Sequence, residues 1–380
     1  MKDIAERAGV SPSAVSFALN GRTGVSEGTR ARVHQVAAEL GWQPNSAARA
    51  LSGERAGCVG LVLARPARTL GVESFFLQLV SGIQEALSTH HTALLFQVVE
   101  DLATECATYR RWWAERRVDG VLVVDPRTED PRPTLLTTLG LPAVVIGALS
   151  AEPVAADPTG GPGTEGPPEG PETEGPSADE AREGAEDAED PDAAAPPWLS
   201  TVWADDAAAM RSIVDHLYAL GHRRIVHIAG LPGLAHTERR VRALRTEADR
   251  LGLDPAQVRS VPTDYSDTEG AAATRRLLDA TAPPTAIIYD NDVMAVAGAS
   301  VAAERGVPVP AALSLVAWDD SALCRVTHPR LTSLARDTPR FGRLAAEELL
   351  ALLDGAPTRQ VQAELPRLVV RESTGRVGAE

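Results

Sequence analysis

Of the chain's 37 Lys+Arg residues only Lys2 is a lysine; the rest are arginines. A phosphate-binding Walker loop, a Schiff-base site and a protein-kinase centre each need a lysine inside the fold, and position 2 does not provide one. Cysteine is equally sparse. Cys58, Cys106 and Cys324 are odd in number and far apart, which points to neither a disulfide framework nor a zinc cluster. HExxH and CxxC are missing, and the seven histidines from His90 to His328 show no catalytic spacing. The reading is therefore not an enzyme, with no catalytic residue, metal or cofactor assigned. No apolar run approaches the roughly 18–20 residues of a membrane span, and Met1–Val10 has no signal-peptide core. A cytoplasmic, nucleoid-associated protein is expected.

The net charge of −15 runs against nucleic-acid binding until it is located. Residues 151–198 hold 14 acidic groups against Arg182 alone, which leaves −2 on the rest of the chain. The same segment has 10 of the 28 prolines and 7 of the 31 glycines. It has too few large apolar residues to offset the entropy of ordering, so it reads as a disordered insertion between two folded pieces. The first 55 residues carry seven basic and five acidic groups, too weak a bias to identify DNA binding.

On both sides of that insertion, short apolar runs alternate with helical periodicity. Strands are expected at 59–63, 93–99, 120–124 and 143–146, then at 224–229, 260–262, 286–289 and 314–318. Helices are expected at 75–88, 106–116 and 134–139, then at 207–220, 237–251, 268–280 and 293–305. Such alternation predicts parallel sheets covered by helices. Two consecutive α/β units would bind a ligand in the cleft between them, at the carboxyl ends of the strands.

The N-terminus follows another pattern. Lys2–Ala8 reads as a helix ended by Gly9. Ser11 caps a second helix that starts at Pro12, and Ser26 caps a third that is ended by Gly41. Ile4, Ala8, Val10, Val15, Leu19, Val33, Val36, Ala37 and Leu40 form a small three-helix core with helix-turn-helix spacing.

The residues themselves are more specific than the spacing. Lys2-Asp3-Ile4-Ala5, Ala8-Gly9-Val10-Ser11, Ala14-Val15-Ser16, Leu19-Asn20-Gly21, Val25-Ser26, Thr29-Arg30 and Leu40-Gly41-Trp42-Gln43-Pro44-Asn45 occur in order. Further along come Ala47-Ala48-Arg49-Ala50-Leu51, Phe75-Phe76 with Gly82-Ile83, Arg117-Val118-Asp119-Gly120, Leu220-Gly221-His222, Asn291-Asp292-Val293 and Leu331-Thr332-Ser333-Leu334. Together they resemble the lac repressor family of bacterial transcription regulators over nearly the whole chain outside the insertion.

That resemblance implies a small all-α helix-turn-helix head (1–44) and a hinge helix and linker (45–56). It implies an α/β core of two parallel-sheet subdomains, as in periplasmic binding proteins. The subdomains are expected at 57–150 with 337–355 and at 199–336 with 356–372, followed by a tail at 373–380. Ser13, Ser16 and Phe17 would face base edges in the major groove. Phe17 lacks the bidentate chemistry for guanine but fits a thymine methyl; packing within the head is its other reading. Asn20, Thr29 and Arg30 would meet phosphates. In the family a hinge-helix leucine wedges into the minor groove at the operator centre. Leu51 matches it, with Asn45, Ala48 and Arg49 alongside.

The resemblance also implies a homodimer on a pseudo-palindromic operator and a small-molecule effector, a sugar or related metabolite, between the subdomains. Arg240, Tyr265 and Asp292 are carried over as effector contacts, with Phe75, Phe76 and Asp205 from the other cleft walls. Asp292 as a helix cap and Arg240 paired with Glu238 or Asp264 are the structural readings beside these. A sugar-binding protein without a regulatory role is the alternative function, but it has no use for a helix-turn-helix.

Overall fold

The computed structural model describes residues 1–19, 21–42, 55–65, 74–149 and 198–378. Helices α1 (Lys2–Ala8), α2 (Pro12–Leu19) and α3 (Glu27–Glu39) form the head. Gly9 ends α1 in the left-handed conformation and returns its N–H to Ala5 and Glu6, the usual use of glycine after a helix. Ser26 caps α3 by accepting from the Thr29 N–H. Ile4, Ala5, Ala8, Val15, Ala18, Val33, Val36 and Ala37 fill the head core, with Val10, Leu19 and Trp42 against them. Leu40, expected in that core, is exposed at the end of α3. Trp42, with the larger apolar side chain, folds back instead, with its backbone N–H on Ala37 O.

The first lobe contains β1 (Cys58–Ala64), α4 (Ser74–Thr89), β2 (Ala93–Val99), α5 (Leu102–Ala114), β3 (Gly120–Val123), α6 (Arg132–Leu139), β4 (Ala143–Ile146) and β5 (Leu199–Trp203). The second contains α7 (Asp206–Ala219), β6 (Ile225–Ala229), α8 (Ala235–Arg250), β7 (Val258–Pro262), α9 (Asp267–Leu278), β8 (Ala286–Tyr289), α10 (Asp292–Glu304), β9 (Ser314–Ala317), α11 (Ala322–Val326) and β10 (Thr332–Ala335). The chain then returns through α12 (Thr338–Leu353) and β11 (Gln360–Gln362) of the first lobe to β12 (Arg367–Val369) of the second.

The sheet orders are β11-β5-β4-β3-β1-β2 and β12-β10-β9-β8-β6-β7. Every pairing is parallel except β10 with β12. Strands β3, β4, β5, β6, β8 and β9 are buried along their length, as expected of parallel strands covered on both faces.

Two expected boundaries move. Leu199–Trp203 pairs with β4 and Gln360–Gln362 pairs with β5, so both belong to the first lobe. The acidic stretch therefore interrupts the connection from β4 to β5 and does not separate the lobes. Its composition gave the appearance of a boundary, and Leu-Ser-Thr-Val-Trp is too short to reveal its sheet. The crossings between lobes fall at 204–205, 336–337 and 363–366. The expected tail also joins the fold. Ser373 donates to Leu315 O at 2.6 Å and accepts from the Thr332 N–H at 2.8 Å. Of the insertion read as disordered at 151–198, residues 151–197 fall outside the described residues, as do residues 45–54 of the hinge helix and linker read at 45–56.

At the core end of the linker, the Asp119 carboxylate accepts from the N–H groups of Ala56, Gly57 and Cys58 at 2.6, 2.7 and 3.1 Å. Arg55 donates to Asp354 at 2.8 Å and to Leu353 O. The start of the core is thus fastened to the loop before β3 and to the end of α12.

Helices α4 and α12 meet backbone to backbone. A Cβ on Gly82 would lie 1.7 Å from Pro339 O, and one on Gly342 would lie 2.2 Å from Leu79 O. Gly82→Ala must push α12 away from α4, so a loss of about 1–3 kcal/mol or more is expected. Urea denaturation of the purified variant checks it; an unchanged midpoint would mean that the helices do not pack this closely.

Candidate functional site

In the head, Ser13 is exposed and Phe17 is 38% exposed. The Phe17 ring lies 3.4 Å from where a Cβ on Gly24 would be. It therefore packs on the loop before α3 while keeping one side free. Ser16 is half-buried. Arg30 is used as a brace: its guanidinium donates to Ala18 O at 3.0 Å and Arg22 O at 2.8 Å, tying α3 to the end of α2. The Thr29 hydroxyl is 2.9 Å from Ser26 Oγ. Asn20, Asn45, Ala48, Arg49 and Leu51 lie outside the described residues.

The larger site is the cleft between the lobes, with about 780 Å³ of empty space, part of it open to solvent. It sits where parallel sheets put ligands, beyond the carboxyl ends of the strands. Asp125 follows β3, Ala204 follows β5, Asp290 follows β8 and Asp319 lies just beyond β9. Three non-glycine residues with positive φ line it: Asp125 (52°), Tyr265 (70°) and Asp319 (70°). Such backbone costs on the order of 1–3 kcal/mol per residue and tends to collect at functional sites.

Arg240 and Arg239 organise the floor. Arg240 donates to Asp206 Oδ1 at 3.2 Å and Asp290 Oδ1 at 3.0 Å. Its guanidinium is 3.9 Å from the Trp318 ring centroid. Arg239 holds the other Asp206 oxygen at 2.8 Å and reaches across the cleft to Ala148 O at 2.9 Å. Burial alone would push the Asp206 and Asp290 carboxyls up, but the arginines outweigh it and keep both below the usual range. Asp290 also accepts from Gly230 N–H at 2.8 Å and lies 2.9 Å from His227 Nε2.

The wall on the second-lobe side is Tyr265. A Cβ on Gly230 would be 1.8 Å from its ring carbon, so only glycine lets the ring lie there. The Tyr265 hydroxyl meets His236 Nε2 at 2.9 Å and Thr237 Oγ1 at 3.0 Å. Opposite, Arg65 donates to Asp125 at 2.6 Å. Its guanidinium sits 5.1 Å from the Phe76 centroid and 5.0 Å from that of Tyr265, so one cation bridges aromatic rings of both lobes. Loop contacts add to this closure: Ala235 N–H donates to Pro126 O at 2.8 Å and Thr128 N–H to Gly233 O at 3.1 Å.

Of the expected effector residues, Arg240, Tyr265, Asp292, Phe75 and Phe76 line this cleft. Asp205 does not. It caps α7, accepting from Ala208 N–H at 2.9 Å, and its neighbour Asp206 faces the cleft. Asn291 caps α10, so Asp292 is not the cap. One Asp292 oxygen accepts from Val293 N–H at 2.9 Å, and the other is buried without a partner among the described residues. Burial, reinforced by the Asp319 charge and opposed by Ser321, pushes the Asp292 carboxyl up. Arg240 pairs with neither Glu238 nor Asp264. Sequence reasoning missed Arg65, Asp125, Asp206, His236, Arg239, Asp290, Asp319 and Arg336. The strand-end rule reaches Arg65, Asp125, Asp290 and Asp319; the others carried no signal.

The chemistry on offer is binding. Burial pushes the Cys324 thiol up to about 12, which leaves it protonated and unreactive. Among the described residues no group of His, Cys, Asp and Glu is arranged to hold a metal ion. No helix among them is long and apolar enough to cross a membrane.

Burial lowers the His236 pKa to about 4. Between about pH 6.5 and 4 the unfolded chain takes up a proton there that the folded chain refuses, so acidification in this window favours unfolding. His236→Gln keeps a donor for Tyr265 and removes this term. Urea midpoints at pH 7 and pH 4.5 should therefore show the variant gaining on the parent chain as pH falls. A constant difference would mean that His236 is not held neutral.

Residues 1–45 match the family described as "Bacterial regulatory proteins, lacI family", and residues 214–374 match "Periplasmic binding protein-like domain". The chain is 32% identical to the HTH-type transcriptional regulator AglR of Rhizobium meliloti (strain 1021), over 99% of this chain and 94% of that one. The structure of a transcriptional regulator CelR–cellobiose complex is 27% identical, covers 97% of this chain and 98% of its own, and superimposes with a TM-score of 0.65. The fold also matches the lac repressor dimer bound to operator and the anti-inducer ONPF, at a TM-score of 0.75, 23% identity and 98% coverage of both chains. With its head, its two-lobed core and this full-length similarity, the chain belongs to the lacI family of bacterial regulatory proteins and is an HTH-type transcriptional regulator.

Proposed function

We propose that the protein is a homodimeric repressor that binds a pseudo-palindromic operator in the cytoplasm and releases or tightens on it when a sugar or related metabolite occupies the interlobe cleft. The observation that carries the reading is the cleft itself. It has ligand-sized space, aromatic rings from both lobes, and polar groups fixed on strained strand ends, all on a chain with a helix-turn-helix head. The binding of cellobiose by CelR, a relative similar along its whole length, supports a sugar as the ligand class. A sugar-binding protein without DNA would leave the head unused, and nothing in the cleft assigns it a catalytic role.

In this reading Arg240, Tyr265, Asp292, Phe75 and Phe76 contact the effector, with Asp206 holding Arg240 in place. Ser13, Ser16 and the free side of Phe17 meet base edges, and Asn20 and Thr29 meet phosphates. Arg30 steadies the head more than it contacts DNA. Asn45, Ala48 and Arg49 lie along the minor groove, and Leu51 wedges at its centre. The clamp of Asp119 on residues 56–58 passes lobe movement to the linker. Coupling of this kind is typically about 1–3 kcal/mol, or 5–150-fold in affinity.

The reading is tested by selecting binding sites from random duplex DNA with the purified protein at about 0.15 M salt, held fixed because affinity depends steeply on it. A two-fold-symmetric site with an easily kinked centre is expected; no enrichment with or without sugar present would reject it. On the selected site, Leu51→Ala should weaken binding at least tenfold and reduce bending in a gel-shift assay. Unchanged bending would remove the wedge. Asp292→Asn should abolish the shift in operator affinity caused by the effector while the unfolding free energy stays within about 1 kcal/mol. A full response in that variant would move the effector elsewhere.

A further inference from the structure

Within the cleft, two buried polar atoms have no hydrogen-bond partner among the described residues: Asp292 Oδ2, an acceptor, and Arg336 Nε, a donor. Native proteins leave few such groups unpaired, and both line the same space. They share a neighbour. Arg336 donates from its other arm to Asp319 Oδ1 at 3.0 Å, and the charge of Asp319 acts on Asp292. The Arg336 side chain is only 11% exposed and lies over the rings of Phe75 and Phe341, at 5.0 and 5.4 Å. Arg336 is also the residue at the second crossing between the lobes, between β10 and α12.

The charges around this pair are already matched. Arg65, Arg239 and Arg240 are each engaged by the carboxylates described above, and Arg336 is engaged by Asp319. Asp292 is left over, so the described lining residues carry one more carboxylate than guanidinium. A ligand carboxylate or phosphate would meet no uncommitted cation among the described lining residues and would sit beside Asp319 and Asp292. An uncharged polyol does the opposite. One hydroxyl donates to Asp292 Oδ2, and a second oxygen accepts from Arg336 Nε.

We propose that Arg336 is a specificity-determining residue of this cleft: with Asp292 it selects uncharged polyhydroxylated ligands over acidic ones, and it registers their binding at the crossing between the lobes. The inference rests on the reading of the cleft as the effector site. It goes further in naming the charge class of the ligand and a contact at the crossing itself, where a bond to the ligand bears directly on lobe geometry.

The test is titration calorimetry on the full-length protein. Glucose and galactose are each paired with their own uronic acid and 6-phosphate, and cellobiose and maltose serve as neutral disaccharides. The strongest binder is expected to be neutral, and each acidic counterpart at least tenfold weaker than its parent. Arg336→Lys, which keeps a positive charge near Asp319 but removes the planar Nε donor, should weaken the neutral ligand about tenfold. Asp319→Asn frees the Arg336 charge and should strengthen the acidic counterparts at least fivefold, a gain that a damaged fold cannot produce. A uronic acid or sugar phosphate binding as tightly as its neutral parent overturns the inference and leaves the effector reading standing. So does an Arg336→Lys protein with unchanged affinity. If no sugar in the panel binds, the sugar-effector reading falls and this inference with it.

Discussion

Much of the cleft depends on the placement of two adjacent arginines on α8 around the carboxylate of Asp206. Arg240 ties Asp206 to Asp290, while Arg239 ties Asp206 to the backbone of the opposite lobe at Ala148. Each charge is buried, and leaving any one unpaired would cost several kcal/mol. The cluster therefore specifies one arrangement of α7, α8 and the end of β8 more than it adds net stability. Tyr265, held on Gly230 and hydrogen-bonded to His236 at the start of α8, takes its position from that arrangement. Through Arg65 it meets the first lobe.

This geometry gives the two lobes contacts made of charge and aromatic rings, and no apolar cluster among the described residues spans both lobes. A ligand's polar groups can take the place of such contacts without leaving a charge unpaired, whereas each lobe interior, with its buried parallel strands, resists deformation. Movement is thereby directed to the three crossings. One crossing holds Arg336, and the linker leaves the first lobe through the Asp119 clamp. A ligand in the cleft and DNA on the head are connected by elements of this kind, each with few alternatives to its present contacts.

The fold was largely legible in the sequence because its strands are buried on both faces and its helices are amphipathic. Val59–Leu63 and Ala286–Tyr289 could be placed from apolar runs alone. Leu199–Trp203 could not, since a five-residue strand beside a long acidic stretch has no local sign of its sheet. The site was legible where a motif carried it, as at Asn291-Asp292, and where one residue decides direction it was not. Asp205 and Asp206 are chemically identical, and only the helix start makes one a cap and the other a ligand for Arg240. The bracing role of Arg30 had no sign in the sequence, because its carbonyl partners, Ala18 and Arg22, are a matter of tertiary packing. Arg336 had no signal: its meaning comes from the unpaired Nε.

The central claim is that cleft and head share one free energy. Linkage makes this measurable from the ligand side. The affinity of a neutral sugar for the cleft would be measured twice by calorimetry, once on free protein and once on protein saturated with its selected operator. The account predicts that the two constants differ by about 5–150-fold and that their ratio equals the sugar-induced change in operator affinity. A sugar that binds the free and operator-bound protein equally would contradict it, because the cleft would then be occupied without any effect on DNA.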